Sequence, residues 1–471
     1  MKKYLILAIL FIVIASPLLI AFLIRGKTVS VDKVTLNLWG VEDKASDYQD
    51  LIKAYQGLHP YVKINYTQER LETYKDNLIK GWAKNTGPDI YALPSSWLYE
   101  FTDYILPMPQ STKVTFYQEK KILCRKQTEI KNITQKSITP QELKSQFVDT
   151  VYSDVVKKDK KGVMQIYGLP LSIDTLVLYY NKTLLNNAQI IEPAKSWPEI
   201  IQQVPKLTKL DSENNILQSG LALGLSDNVN HYFDILSLLM IQNGTSMTDP
   251  SGASISFDKS VSPAYNPGER ALEFYTDFAN LSKEVYSWNE NQPSSLDAFT
   301  QGKVAYYIGY QKDKLTIDTN SPTLNYAIAP IPHINSDGVD SSIDSSGNYV
   351  QRNYATYWVF TAAQKTKYPN EVWNFIQFIT QENRVKTYLE KTKKVSVLRT
   401  ILASQIKDLD LGVFAGQALT ATTWYHGQCF SGTENFFKSM INKVVKKEET
   451  ILNSLTLAAK QTQETLKNTC Q

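Results

Sequence analysis

The chain begins its folded part with a regular alternation of strands and helices. Apolar and polar residues alternate over Val34–Trp39, and similar short β-prone runs return at Val62–Tyr66 and at residues 87–93. Between them, residues 46–57 and 71–84 place apolar side chains at helical spacing. A strand–helix–strand order of this kind predicts a parallel sheet with right-handed crossovers. We therefore expect an α/β fold.

A turn, a buried strand and the first turn of a helix follow one another at residues 167–185. Pro170 cannot donate to a strand ladder, so it marks the edge or start of a strand. Leu176–Tyr180 are apolar and prone to β structure, and Asn181 is a good N-cap for the helix that follows. By itself this pattern indicates only one core strand of an α/β protein.

The same segment, YGLPLSIDTLVLYYNK at residues 167–182, resembles a part of the family 1 extracellular solute-binding proteins, the maltose-binding-protein-like group. In that group the chain crosses between two lobes at this point. The strings GPDIY at 87–91 and FTQGKVAYYIG at 299–309 are also similar to segments of the family. Further similar segments follow in the family's order, so that the resemblance covers about residues 33–400: Tyr326–Pro332, Tyr354–Phe360, Glu371–Ile379 and Val395–Arg399.

The resemblance implies a two-lobed α/β fold of the periplasmic-binding-protein-like kind (type II), with a ligand cleft between the lobes. Lobe one would take residues 33–172 and 322–355, and lobe two would take 173–321 and 356–471. A small-molecule solute would touch both lobes and hold them closed, and the closed form would dock on the permease of an ABC importer.

A sugar or oligosaccharide is the expected solute. The chain has 28 Tyr and 8 Trp, and rings of this kind stack on the apolar faces of sugars. The sugar-binding branch of the family points the same way. Other members of the family bind polyamines, iron and phosphate esters, so the resemblance leaves the identity of the solute open.

Ligands of open α/β sheets bind at the carboxyl ends of strands, and this rule selects candidate residues. By resemblance the same positions line the cleft: Trp39, Gly40, Ser95, Ser96, Trp97, Ser172, Asp174, Asn228, His231, Gly309, Tyr310, Tyr357, Trp358 and Trp424. Trp288 is a further candidate. Structural alternatives exist for each: the Trp rings could belong to the core, Asp174 could act only within the hinge, and His231 could be an ordinary surface or core histidine.

The sequence contains no motif of an enzyme or a cofactor site. Its four histidines form no His-Glu-x-x-His frame and no pair with the spacing of metal ligands. A nucleophile elbow, a phosphate loop and a dinucleotide fingerprint are all absent. A net charge of +4 on 471 residues gives no indication of nucleic-acid binding. We expect no catalytic residue, cofactor or metal; the alternatives are a scaffold or sensor that keeps the fold and, less favoured, a carbohydrate-active enzyme.

The N-terminus resembles a membrane-targeting segment. Lys2 and Lys3 precede an apolar run at residues 4–24, and Arg25 and Lys27 follow it. About 20 apolar residues can cross a bilayer as a helix. A small-residue cleavage site and a lipobox cysteine are both missing. The pattern predicts an uncleaved signal anchor at residues 1–27, which would hold the chain at the extracytoplasmic face of the membrane; a cleaved signal peptide is the alternative.

Two further features stay open at the level of the sequence. Cys429 and Cys470 could form a disulfide outside the cell, or all three cysteines, with Cys124, could be thiols. Residues 110–165 depart from the family pattern and are rich in Lys and Gln. We expect this region to be a solvated helical insertion or a partly flexible surface loop.

Overall fold

The computed structural model describes residues 32–122, 125–159, 161–249, 252–334 and 351–468. The predicted signal anchor at residues 1–27 lies outside these ranges, as do Cys124 and Cys470. Among the described helices, none combines the length and the apolar character that a membrane-spanning segment needs. Cys429 is disulfide-bonded, which contradicts the alternative of three free thiols.

The strands are numbered along the chain. They are β1 (Val34–Gly40), β2 (Val62–Gln68), β3 (Ile90–Pro94), β4 (Ser111–Ile122), β5 (Arg125–Lys136), β6 (Val156–Lys158), β7 (Met164–Ile166), β8 (Leu169–Pro170), β9 (Ser172–Thr175), β10 (Val177–Asn181), β11 (Lys209–Leu210), β12 (Ile216–Leu221), β13 (Val304–Gly309), β14 (Tyr326–Pro330), β15 (Asn353–Thr356), β16 (Trp358–Ala362), β17 (Val395–Ser396) and β18 (Ala421–Thr422).

The α-helices are numbered in the same way. They are α1 (Ala45–Leu58), α2 (Leu71–Ala83), α3 (Pro140–Gln146), α4 (Asp149–Val155), α5 (Lys182–Asn187), α6 (Trp197–Leu207), α7 (Tyr232–Gln242), α8 (Pro267–Asp277), α9 (Ser295–Thr300), α10 (Gln311–Asn320), α11 (Pro369–Ile379), α12 (Glu382–Thr392), α13 (Arg399–Gln405), α14 (Gly412–Ala418), α15 (Phe430–Val445) and α16 (Ile451–Thr465). Short 3₁₀ turns lie at Ser95–Trp97 and Thr102–Tyr104.

The first sheet has the strand order β2-β1-β3-β16-β8. Strand β1 pairs in parallel with β2 and with β3, and α1 and α2 form the crossovers. The alternation predicted for Val34–Trp39 is observed, since Leu36 and Leu38 are buried while Thr35 is exposed. The predicted parallel arrangement at the start of the chain is therefore confirmed. We call the part built on this sheet the first lobe.

The second sheet has the strand order β11-β12-β13-β10-β14 and forms the core of the second lobe. Strand β10 lies between β13 and β14 and pairs antiparallel with each of them. Leu178 and Tyr179, from the predicted buried strand, are fully inaccessible to solvent. Asn181 caps α5 as expected, because its side-chain oxygen accepts the backbone N–H of Leu184.

A third, four-stranded sheet connects the two lobes, with the order β17-β9-β15-β18. Strand β9 follows β8 of the first sheet and precedes β10 of the second. Strand β15 leads back into β16 of the first sheet and pairs antiparallel with β9, Asp174 lying opposite Thr356. The chain thus passes between the lobes through two strands that are hydrogen-bonded to each other, and a third time between α12 and α15, where β17 and β18 join the same sheet.

The lobe boundaries predicted after residue 321 are wrong in two places. Strand β14, at 326–330, belongs to the second sheet, and β16, at 358–362, belongs to the first. Helices α11 and α12 pack on α1 of the first lobe, where the rings of Phe375 and Phe378 lie 5.1 and 5.3 Å from that of Tyr55. The return crossing is β15 itself. A buried apolar strand has the same pattern in either sheet, so the sequence did not reveal its partner.

The region at 110–165 is also different from the prediction. Strands β4 and β5 form a long antiparallel hairpin, and α3 and α4 follow it. Thr112 and Val114 are buried on one face while Lys113 is exposed, a period-two pattern that the many lysines obscured. The hairpin base is attached to the first lobe, since Asn374 donates to Thr112 and the Thr115 N–H donates to the Tyr61 hydroxyl.

Candidate functional site

A cleft of about 430 Å³ lies between the two lobes. Its walls are formed by the loops that leave β1 and β3, by β15 and the start of β16, and by the first turns of α7 and α15. The lining residues are Val41, Glu42, Leu71, Pro94, Ser95, Ser96, Trp97, Asp154, His231, Tyr232, Phe233, Asp234, Lys312, Tyr354, Ala355, Thr356, Trp358, Thr423, Tyr425, Phe430, Ser431 and Glu434.

The first-lobe wall contains four of the predicted residues: Ser95, Ser96, Trp97 and Trp358. Strand β3 ends at Pro94, which lies opposite Trp358 in β16. The Ser95 N–H donates to the Tyr357 carbonyl at 2.9 Å, so the turn after β3 is held against the return crossing. Trp97 and Trp358 are each only partly buried and pack at the border of the core. Two indole rings therefore border this wall.

The second-lobe wall begins with His231, another predicted residue. Its backbone is left-handed, with φ of 60°, at the N-cap of α7. Its Nε2 lies 2.8 Å from Oδ2 of Asp313. Burial opposes ionisation of Asp313, but the contact with His231 and hydrogen bonds from Tyr310 N–H and Tyr307 hydroxyl hold the pKa of that carboxyl below its usual value. His231 is thus fixed by a carboxylate at the edge of the cleft.

Two carboxylates also belong to this wall, Asp234 in the first turn of α7 and Glu434 one turn into α15. Asp234 of α7 accepts a hydrogen bond of 2.8 Å from the Tyr310 hydroxyl. Burial raises the pKa of Asp234, and its interactions with His231, the Tyr310 hydroxyl and Lys312 work against that rise. Burial raises the pKa of Glu434 in α15 as well, and the negative charge of Asp234 adds to the effect. Both carboxylates line the same cleft.

A buried carboxylate, Asp154 of α4, joins the two walls. It accepts hydrogen bonds from the hydroxyls of Tyr357 and Thr423, and Nε2 of His426 lies 2.9 Å from its Oδ1. The ring of His426 is stacked on that of Tyr99, with centroids 4.6 Å apart. The loop before α15 is in this way attached to the first lobe.

A second cavity of about 590 Å³ adjoins the cleft beside the hinge, and both are lined by Glu42, Lys312, Thr356 and Trp358. The predicted residues Ser172, Asp174 and Tyr357 line this second cavity. Asp174 accepts the backbone N–H groups of Gln311 and Lys312, at 2.8 and 3.1 Å, at the start of α10. Burial raises its pKa to about 7, against the lowering effect of these two hydrogen bonds.

An ion cluster lies at the side of both cavities. Lys394 Nζ contacts Glu42 at 3.0 Å and Asp43 at 2.7 Å. The Tyr388 hydroxyl donates to the other oxygen of Asp43 at 2.8 Å. Although burial alone would lower it, the pKa of Lys394 is raised by Tyr388, Glu42 and Asp43. The cluster connects the loop after β1 to the start of β17.

Six of the predicted residues are absent from the lining of the described cavities: Trp39, Gly40, Asn228, Gly309, Tyr310 and Trp424. Trp39 and Gly40 do end β1, but Val41 and Glu42 reach the cleft instead. Gly309 and Tyr310 lie beneath the wall, where Tyr310 supports Asp234. At the end of β1, the residues that line the cleft therefore come one to three positions after the predicted ones.

Asn228, Trp288 and Trp424 are structural residues. The Asn228 amide donates to the carbonyls of Asn289 and Gln292 and accepts from Nε1 of the fully buried Trp288. Trp424 is buried among Phe233, Phe257 and Phe437, and its Nε1 donates to Ser237 at 2.9 Å. Both tryptophans are therefore core residues, which was the structural alternative to a role in ligand binding.

The residues missed from the sequence come mainly from helix starts. Asp234 lies in the first turn of α7, a position in which acidic residues are common for helix stability alone, and Glu434 lies one turn into α15. Asp154 belongs to the region predicted to be an insertion. Within the described part of the chain, no group of three or more His, Cys, Asp or Glu side chains could hold a metal ion.

Residues 50–409 match the family of bacterial extracellular solute-binding proteins. The chain belongs to this family. Among curated relatives, a putative binding protein of Brucella abortus is 21% identical over 339 residues, 71% of this chain and 69% of the relative. The galactooligosaccharide-binding protein of Bacillus subtilis is 21% identical over 381 residues, 78% of this chain and 73% of the relative. The predicted family is confirmed.

Solved structures of similar fold are also solute-binding proteins. The maltose-binding protein MalE of Listeria monocytogenes, in complex with maltose, gives a TM-score of 0.66 at 15% identity and covers 92% of this chain and 98% of its own. A cyclo/maltodextrin-binding protein complexed with maltotetraose gives 0.68 at 16% identity, covering 94% and 100%. The two-lobed α/β fold expected of this solute-binding protein is shared with them, and the family consists of receptors rather than enzymes.

Proposed function

We propose that this solute-binding protein is the extracytoplasmic receptor of an ABC importer and binds a sugar or an oligosaccharide between its lobes. The observation that carries the proposal is the composition of the cleft. Trp97 and Trp358 border the first-lobe wall, and carboxylates, hydroxyls and a histidine stand on the opposite side and at the hinge. Sugars need both kinds of wall, because their ring faces are apolar while their hydroxyls require hydrogen-bond partners.

The relatives support the same class of solute. The curated relative of Bacillus subtilis is named for galactooligosaccharides, and the structural neighbours were solved with maltose and maltotetraose. The solute would contact Trp97 on the first lobe and the α7 and α15 walls on the second. Contacts with both lobes favour the closed state, and ligand binding then drives closure by its differential affinity. The closed form would be the one that docks on the permease.

The proposed binding is tested by a thermal-shift screen of the full chain in detergent against monosaccharides, oligosaccharides, amino acids, polyamines and phosphate compounds. A solute that binds the folded chain alone raises its melting temperature by mass action. Trp358→Ala should weaken the shift strongly, because the solute loses a stacking face. Trp82→Phe, which keeps a ring in the first-lobe core, is the control. A chain that responds to none of these compounds would instead fit the alternative of a scaffold or sensor.

The location at the membrane is a separate part of the proposal. We infer that residues 1–27 form an uncleaved anchor, which keeps the receptor near its permease and raises its effective concentration there. N-terminal sequencing of the mature protein from the membrane fraction tests this. Recovery of the original N-terminus in that fraction would support the anchor, whereas a new N-terminus beyond residue 24 would support a cleaved signal peptide.

A further inference from the structure

The charged side chains that line the cleft are mostly acidic. Glu42, Asp154, Asp234 and Glu434 carry carboxylates, and among the lining residues Lys312 is the single lysine or arginine. Two of the four carboxylates already have strong partners. Glu42 is paired with Lys394 at 3.0 Å, and Asp154 accepts from Tyr357, Thr423 and His426. The other two carboxylates, those of Asp234 and Glu434, lie on the second-lobe wall.

Asp234 and Glu434 carry those two carboxylates. One oxygen of Asp234 accepts from the Tyr310 hydroxyl, a neutral donor. Among the described residues, the Glu434 carboxylate has neither a hydrogen-bond donor nor an ion-pair partner; Lys438 acts on it only through its charge. Unlike the paired Glu42, neither Asp234 nor Glu434 forms an ion pair within the part of the chain that the structure describes.

The rings around this pair suit a cationic sugar rather than a metal ion. Tyr232 and Phe430 stand on the same wall, beside Asp234 and Glu434, and Trp97 lies on the first-lobe wall. Aromatic faces attract organic cations and also stack on sugar rings. A hydrated metal ion would need additional oxygen ligands in place of these rings. A protonated amino group on a sugar satisfies both the carboxylates and the rings.

We propose that the solute is a cationic carbohydrate, a glycan containing a protonated amino sugar, whose ammonium group binds at Asp234 and Glu434. This proposal rests on the proposed sugar-receptor function and adds the charge of the solute to it. The ammonium would donate to Glu434 and to the second oxygen of Asp234. The remaining sugar rings would extend toward Trp97 and Trp358. Neutral sugars would leave the two carboxylates facing each other without compensation.

The test is titration calorimetry on the full chain in detergent with glycans matched in size: a glucosamine trisaccharide, its N-acetylated form and a glucose trisaccharide. We expect the glucosamine trisaccharide to bind about ten- to a hundredfold more tightly than the other two, as a charge-assisted contact requires. Glu434→Gln should reduce that preference at least about tenfold.

Two further variants separate the local contact from a general effect of charge. Asp234→Asn should reduce the same preference, whereas Glu464→Gln, which removes an exposed carboxylate on α16, should leave it unchanged. Equal or tighter binding of the neutral trisaccharides, or a preference that survives Glu434→Gln, would overturn the cationic assignment and leave the sugar-receptor function intact. If no carbohydrate bound, both the cationic assignment and the sugar-receptor function would be contradicted.

Discussion

At the scale of single residues, one carboxylate and one glycine have structural roles beside the cleft. Asp174 lies in β9 and accepts two backbone N–H groups at the start of α10, so the crossing strand holds a helix of the second lobe. A Cβ added at Gly309 would lie 2.4 Å from Oδ2 of Asp313 and from the Tyr307 ring. Both were selected from the sequence as ligand-binding residues, and in the structure each has a structural role that explains its identity.

The raised pKa of Asp174 predicts a pH dependence of stability. Burial raises this pKa to about 7 from an ordinary value of 3.8. Between these values the folded chain keeps a proton that the unfolded chain has released, so the free energy of unfolding falls as the pH rises. Asp174→Asn should remove about 1–2 kcal/mol of that fall. Urea unfolding at pH 5, 6 and 7 measures it; parallel pH profiles of the variant and the parent protein would contradict the expectation.

Gly309→Ala should destabilise the second lobe. The new methyl group would overlap Asp313 and Tyr307, whose contacts fix His231 at the cleft, and overpacking of this kind costs about 1–3 kcal/mol. Gly416→Ala is the matched control, because nothing lies within 4 Å of a Cβ at that helical position. We expect the control to be neutral or slightly stabilising. Denaturant midpoints of the two variants provide the comparison.

At the scale of elements, the sequence predicted the type and order of the helices and strands better than it predicted which strands pair with each other. The alternation in Val34–Trp39 and the N-cap at Asn181 are local signals, and the structure contains both elements. The sheet that β14 or β16 joins depends on contacts distant in the chain, and apolar strands of either sheet look alike. The β4–β5 hairpin was missed because its period of two lay under a high lysine content. In the cleft, the turn at Ser95–Trp97 followed from the strand-end rule, whereas Asp154 and Glu434 required tertiary structure.

The ion cluster of Lys394 predicts an unequal effect of two lysine substitutions. Lys394→Met would leave Glu42 and Asp43 partly buried without their cation, which should cost about 2–4 kcal/mol of stability. Lys386→Met removes an exposed pair with Glu382 within α12 and should cost less than about 0.5 kcal/mol. Melting temperatures of the two variants measure the difference, and equal losses would mean that the cluster does not connect β17 to the loop after β1.

At the scale of the whole molecule, the walls of the cleft lie on lobes that are joined by a narrow sheet. The β9–β15 pair carries two of the crossings, and Asp154 and His426 attach the loop before α15, which belongs to the third, to the first lobe. A solute that contacts both walls should bring the lobes together. We expect saturating solute to reduce the radius of gyration in small-angle scattering, and Trp358→Ala to abolish the change at the same concentration. An unchanged radius with bound solute would contradict hinge closure.

The pairing of β9 with β15 also limits the kind of motion that the lobes can make. Two independent connections could twist separately, and the lobes could then slide as well as rotate. Because Asp174 and Thr356 are neighbours in one ladder, and β17 and β18 flank this pair, the connections between the lobes belong to one four-stranded sheet. A narrow sheet bends easily across its width and resists shear within its plane. We therefore expect the lobes to rotate about this sheet as a single axis, so that the two walls meet in the same alignment at each closure.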